Sequence, residues 1–237
     1  MKRFYTLVLH EKSADGYQIL LDGKAVKTKD GQNLVAPNEH IASSVVQEWS
    51  NQGDTIEPDT MPFTQILSTK IDRVRHQRNE MTDMLLKYLD TDLICYLASE
   101  PDELVKRQNE LWSPVRGWFQ KDFGTEGHPL KTTTGLAALS QDEIYAKNVR
   151  SYIQSLDNDH FTFLQIIIAS AGSLILGLAF ICGFADEEHV LNACFVEEDF
   201  KDTLYDIETY GADPYIEAKQ AALRSDLKHC NAFRNQL

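Results

Sequence analysis

The chain has 237 residues, 43% hydrophobic and 25% charged, which is enough to bury one large core or two small ones and is not the composition of a disordered polymer. A formal charge of -13 works against nucleic-acid binding, where Lys and Arg must replace the counterions of the phosphates, so a charged partner should be basic. Cys95, Cys182, Cys194 and Cys230 form no C-x-x-C pair, which argues against a zinc knuckle or a thioredoxin-like site and fits a reducing, cytoplasmic compartment.

From Arg3 to Ala36, short apolar runs (FYTLVLH, YQILLDG, KAVKT, NLVAP) are separated by Asp22-Gly23 and Asp30-Gly31 and predict a small antiparallel meander. The opening MKRFYTLVLH has no signal-peptide h-region and no transit-peptide composition, so neither secretion nor organelle import is expected. Asn38 offers an N-cap to an amphipathic helix reaching Gln52, with Ile41, Val45, Val46 and Trp49 toward the sheet. Pro62 opens a longer helix with Phe63, Ile66, Leu67, Ile71 and Val74 inward and Lys70, Arg73, Arg75 and Arg78 outward. It is expected to run on to Asp90 with a bend near Asn79. TDLICYLA, which follows, is ambiguous between helix and strand.

Helix signals then dominate: a helix after Pro101, interrupted or kinked at Pro114 and ending near Phe123, then a loop or short hairpin over 124–139, then a helix from Gln141 to Leu156. Phe161 to Ala185 carries no charged side chain and is long enough as one helix to cross a bilayer or a domain. Its flanks hold Asp157, Asp159, Asp186, Glu187 and Glu188, and the nearest cations are Arg150 and Lys201, unlike the Lys and Arg that orient a span. A buried core helix is therefore expected, with Ala169, Ser173 and Gly177 as a small-residue stripe for close packing. Asp186 should cap a helix to about Thr209, and Pro214 should start the last one. The fold class expected is α+β: a small α+β domain over 1–80, with a covering helix on an antiparallel sheet, and a larger all-α domain over 81–237 built round a buried apolar helix.

No phosphate loop, dinucleotide fingerprint, H-E-x-x-H or nucleophile elbow is present, so no cofactor or metal is expected. Asp186-x-x-His189 is half of a bundle-type metal motif and more simply an N-cap. Asp90 with Asp92, and Asp157 with Asp159, could serve a helical-domain hydrolase as acid and base, or cap helix ends. In VEEDFKDTLYDIE, Glu197 has Lys201 four residues on, whereas Glu198, Asp202 and Asp206 stack at i, i+4 and i+8 with no cation. Such a column is a solubilising face or a surface kept open for Arg or Lys of a partner. Trp49, Trp112 and Trp118 lie on amphipathic helices, as core residues or interface anchors.

Taken in order, these pieces resemble the assembly-chaperone family of the F-type ATP synthase that holds the alpha subunit of the catalytic head. The matching pieces are RFY at Arg3 to Tyr5, LDGKAVKT at Leu21 to Thr28, EWSNQ at Glu48 to Gln52, IEPDTMPFT at Ile56 to Thr64 and KIDRV at Lys70 to Val74. They continue with YLDTDLICY at Tyr88 to Tyr96, RQNELWSPV at Arg107 to Val115, GSLILGLA at Gly172 to Ala179 and EEDF at Glu197 to Phe200. Ser113 stands where the family usually has Asp, and Tyr210-Gly211 where it tends to Trp-Gly. The resemblance implies a non-enzymatic chaperone that binds the unassembled alpha subunit and shields its beta-facing surface. It also implies a bacterial member acting in the cytoplasm without membrane insertion. It points to a functional glutamate at Glu197 or Glu198 and implicates Trp49; the unpaired column favours Glu198. A membrane-tethered assembly factor, inserted through Phe161 to Ala185, is the remaining alternative.

Overall fold

The computed structural model describes residues 1–135, 137–204 and 213–237. The chain is α+β, with a small antiparallel sheet near its N-terminus and a mostly helical remainder. It separates into two compact units, one of Met1–Arg78 with Lys228–Leu237, the other of Asn79–Leu227.

In the first unit, β1 (Val8–Ser13) and β2 (Gly16–Leu21) form a hairpin in the register Val8↔Leu21 to Ser13↔Gly16. Two short strands, β3 (Lys24–Ala25) and β4 (Val35–Ala36), share the other edge of β2. Asp22 and Gly23 both take positive φ, as a two-residue hairpin turn of the primed type requires. Gly16 permits a close approach, because a Cβ there would lie 2.3 Å from the Ala36 carbonyl oxygen. Helix α1 (Glu39–Ser50) is capped by Asn38, whose Oδ1 accepts from Ile41 N at 3.0 Å, and lays Ile41, Ala42 and Val45 on the sheet.

Two polar bolts tie the next segments to this layer. The Glu48 carboxylate accepts from Phe63 N (2.6 Å), Thr64 N (2.9 Å) and the Thr64 hydroxyl (2.7 Å), serving the free donors at the start of α2 (Pro62–Thr69). The buried Gln52 amide donates to Thr60 Oγ1 and accepts from Glu57 N, fixing the loop between α1 and α2. After α2 the helix widens into a π-helical turn over Lys70–Val74 and resumes as α3 (Arg75–Leu86), with a non-helical kink at Gln77. The bend expected near Asn79 is therefore earlier and has a cause in the backbone: one residue too many is accommodated while Ile71 and Val74 both stay buried. Asp72, on the π-turn, accepts from the Thr28 hydroxyl and from Asp30 N, which anchors the turn at Asp30-Gly31.

In the second unit, TDLICYLA becomes a 3₁₀ turn (Leu93–Cys95) and a short strand β5 (Tyr96–Leu97), paired in parallel with β6 (Thr133–Thr134) in the 124–139 segment. Helix α4 (Asp102–Phe123) continues unbroken past Pro114, without the interruption that is one of the two expectations there. Pro114 and Glu110 are exposed, so the carbonyl that Pro leaves without a partner faces water. α5 (Glu143–Ser155) follows.

The apolar stretch is where the sequence reading needs correction. Phe161 to Ala185 is not one helix: α6 (Asn158–Ala171) ends at Gly172, in the left-handed conformation with φ 66°, and α7 (Leu174–Ile181) starts anew on Ser173. The expected stripe of Ala169, Ser173 and Gly177 does not exist, since Ala169 is exposed and Ser173 is a cap. Gly177 nevertheless marks a close contact, because a Cβ there would stand 2.7 Å from Ile168 Cγ1. The buried apolar helix is α7 alone, every residue of it enclosed among α4, α6 and α8 (Glu187–Leu204). Among the described residues no helix is long and apolar enough to cross a membrane. Asp186 caps α8 through His189 N as expected; Thr209 lies outside the described residues. The last helix, α9, spans Pro214–Arg234.

Candidate partner-binding surface

α4 and α8 meet along residues that the sequence displays as two separate motifs. On α4, Gln108 is buried; its Oε1 accepts from Ala98 N at 2.8 Å and its Nε2 donates to Glu197 Oε1 at 2.7 Å. One turn on, the wholly buried Trp112 donates from Nε1 to the Ala193 carbonyl at 2.8 Å. Arg107 lies over the Phe200 ring, 5.2 Å from its centre, and pairs with Glu103 at 3.4 Å. RQNELW and EEDF are thus two sides of one interface. Glu197 is engaged by Gln108 instead of the Lys201 that its spacing suggested, and its carboxylate serves to fix α8 on α4.

The next residues of α8 present the other acids. Glu198 and Asp202 are half-buried and stand one helical turn apart, with Asp199 exposed beside them. Among the described residues no Lys or Arg closes an ion pair with any of the three. Asp199 accepts from Gln220 Nε2 at 3.0 Å. Its carboxyl is held above the ordinary carboxylate range, first by burial and then by the negative charges of Asp202 and Glu198. Asp206, the third member of the expected column, lies outside the described residues, as does Tyr210-Gly211. Asp199 escaped the sequence reading because it falls off the i, i+4 column, although a stack of three acids in EEDFKD could have signalled it.

Trp49 belongs to the other unit. Its carbonyl accepts from the Tyr5 hydroxyl at 2.7 Å, and the two rings meet edge to face at 5.6 Å. The side chain is half-buried, and its Nε1 is enclosed with no hydrogen-bond acceptor among the described residues. Trp112 is core, and Trp118 is half-buried, stacked on the exposed Phe184 at 5.1 Å.

Three of the acids considered for catalysis, Asp90, Asp92 and Asp157, are occupied in structural roles. Asp90 accepts from Gln141 N, and Asp157 caps α6 through His160 N. Asp92 is fully buried, accepting from the Ser173 hydroxyl at 2.6 Å and from Ile175 N at 2.9 Å at the start of α7, while its Oδ1 also accepts from Ile94 N at 3.4 Å and so caps the 3₁₀ turn. Burial pushes its carboxyl up to about 6 against the pull of those donors. His189 turns its ring to the Leu111 carbonyl at 3.0 Å, which agrees with the N-cap reading of Asp186-x-x-His189. Among the described residues no group of His, Cys, Asp and Glu could hold a metal ion. Ser113, the departure from the family pattern, sits within α4, where its hydroxyl accepts from Arg116 at 3.1 Å without breaking the helix.

A family model described as ATP12 chaperone protein matches residues 2–120. The crystal structure of Atp12 from Paracoccus denitrificans is similar at 31% identity with a TM-score of 0.82, covering 98% of this chain and 96% of that one. The Atu1473 protein of Agrobacterium tumefaciens is similar at 25% identity with a TM-score of 0.83, covering 100% of this chain and 86% of that one. With its two separate motifs accounted for by one α4–α8 interface and its whole length matched in fold, the chain belongs to the ATP12 family of ATP synthase assembly chaperones.

Proposed function

We propose that this chain binds the unassembled alpha subunit of the F-type ATP synthase catalytic head and shields the surface that beta later covers. It acts without catalysis, in the bacterial cytoplasm. The observation that carries this reading is the acidic face of α8, where Glu198, Asp199 and Asp202 stand together and, among the described residues, none of them closes an ion pair with a Lys or Arg. Leaving like charges side by side costs a few tenths of a kcal/mol per pair, a small penalty that an incoming Lys or Arg of the client offsets. Glu198 and Asp202 are the contact residues, with Asp206 continuing their spacing in the sequence. Glu197 acts as a positioning residue through Gln108. Trp49 contributes from the small α+β domain of 1–80, and the acids from the helical domain of 81–237.

The test is capture of purified alpha subunit by the full chain at low and at raised salt. Wild type should capture alpha and lose it progressively with salt, and Glu198→Lys should lose capture by about tenfold while melting as wild type does. Equal losses of binding and melting temperature would make Glu198 structural, and a wild-type chain that leaves alpha uncaptured would overturn the proposal.

A further inference from the structure

β1 is the outermost strand of the sheet in the first unit: β2 pairs with one side of it, and among the described residues no strand or bridge pairs with the other. The hydrogen-bond alternation shows which of its backbone groups face that open edge. Ile19 turns both of its own groups away from β1, its N–H to the Leu34 carbonyl at 3.2 Å and its C=O to Val26 N at 2.9 Å. It stands opposite His10, so that pair is of the non-hydrogen-bonded type, and the N–H and C=O of His10 point outward. By the same alternation those of Val8 and Lys12 point outward too. Two of the usual devices against pairing are missing: the register Val8↔Leu21 to Ser13↔Gly16 runs without a bulge, and the strand has no proline. His10 meets the Ser43 hydroxyl of α1 at 3.3 Å, which puts Val8, His10 and Lys12 on the face toward the helix. Leu7, Leu9 and Glu11 take the opposite face, where Leu7 is 54% and Leu9 40% exposed.

Amides and carbonyls open at every second residue are a template for an extended backbone with the same spacing, which neither a helix nor a small molecule supplies. The side chains select further. An antiparallel strand would set apolar residues opposite Leu7 and Leu9 and a Lys or Arg opposite Glu11, so that from its N-terminus the cation comes first and two apolar residues follow at alternate positions. A second copy of β1 does not meet this pattern. In the antiparallel registers that join the outward residues of two copies around Leu9, His10 or Glu11, Glu11 falls opposite Leu7, Leu9 or the other Glu11. Each copy would also bring a net charge of -13. We infer that the open edge of β1 takes up an extended segment of a partner polypeptide by antiparallel strand addition, with a cation leading branched apolar side chains at alternate positions. The inference takes from the chaperone reading only that the partner is a polypeptide.

The experiment uses the full chain, labelled with ¹⁵N, and the end-capped peptide Lys-Thr-Val-Thr-Val, titrated to millimolar concentration. Its Thr residues would exchange backbone hydrogen bonds with His10 and Val8, whereas its Val amides would point away from β1. N-methylation of both Thr amides should therefore weaken binding by at least about tenfold, and N-methylation of both Val amides by no more than about twofold. Ser in place of each Val should weaken it by at least about threefold. Amide hydrogen exchange at Val8 and His10 should slow when the parent peptide is added, while Leu9 and Glu11, whose amides face β2, should exchange as before. Because the modified groups are on the peptide, the folding of the chain does not enter the comparison. Equal binding of the two N-methylated peptides, a Ser peptide as good as the parent, no binding of the parent, or slowed exchange that misses Val8 and His10 would each overturn the inference. So would slowing of these amides as the chain alone is concentrated, which would put a second copy at the edge. Capture of alpha subunit is scored separately: if wild type does not capture alpha, the chaperone reading fails and the peptide result still stands, and if alpha is captured while the peptides fail, only the strand addition falls.

Discussion

The start of α7 and the outer side of α8 handle carboxylates in opposite ways. At α7, Asp92 is fully buried and both of its oxygens accept hydrogen bonds from the next structural layer, Ser173 and Ile175. At α8, Glu198 and Asp202 have partial access to water and, among the described residues, no ion pair with a cation. A buried acid with donors is part of the fold, and removing it leaves donors stranded; a half-exposed acid with neither donor nor cation does little for the fold and can be reserved for a partner. Glu197 shows how close the two roles can come: one residue from Glu198, it faces Gln108 and belongs with the structural group.

The strongest way to test the enclosed side of this contrast is Gly177→Leu. A Cβ alone would lie 2.7 Å from Ile168 Cγ1, so the larger side chain should destabilise the chain by about 3 kcal/mol in denaturant unfolding. Unchanged stability would mean that α6 and α7 are not in close contact. Next in size is the pH behaviour of Asp92. Its folded value is lifted from 3.8 to about 6, so the protonated form is favoured in the fold; that contribution is fully present below about 3.8 and lost as pH rises to about 6. The stability of wild type relative to Asp92→Asn should therefore fall by up to about 3 kcal/mol between pH 4 and pH 7. A difference independent of pH would show that Asp92 is not enclosed as described. Glu48→Ala should cost about 1 kcal/mol by leaving Phe63 N and Thr64 N without their acceptor, measured as a lowered melting temperature. Smallest for the fold is Glu198→Lys, expected within about 0.5 kcal/mol of wild type in unfolding even as alpha capture falls.

Much of the architecture could be read from local chemistry. Asn38, Asp186 and the Asp22-Gly23 pair announce a cap, a cap and a turn by rules acting within four residues, and the structure has all three. The break at Gly172-Ser173 was equally present as a Gly stop and a Ser start, but the uncharged run around it hides the punctuation, since hydropathy does not distinguish one long helix from two short ones. The π-turn at Lys70–Val74 has no compositional signature at all. The roles of Gln108, Glu48 and Asp92 were out of reach for another reason. Each acts on residues whose proximity is set by packing, such as Glu197 eighty-nine positions from Gln108. For the α8 acids, charge spacing placed Glu198 and Asp202 one turn apart, as they stand on α8, but paired Glu197 with Lys201, because a helical ruler sees only neighbours on its own helix.

The turn at Gly172-Ser173 also bears on how the chain could be made. Ribosomes deliver residues in order, so Asp92 emerges 81 positions ahead of the serine that it meets. When the greasiest stretch of the protein leaves the exit tunnel, the carboxylate that binds the start of its second short rod is already outside. Straightening those rods into a single lipid-seeking span would require giving up both that contact and the left-handed glycine, so the fork between water and bilayer is biased while synthesis is still under way.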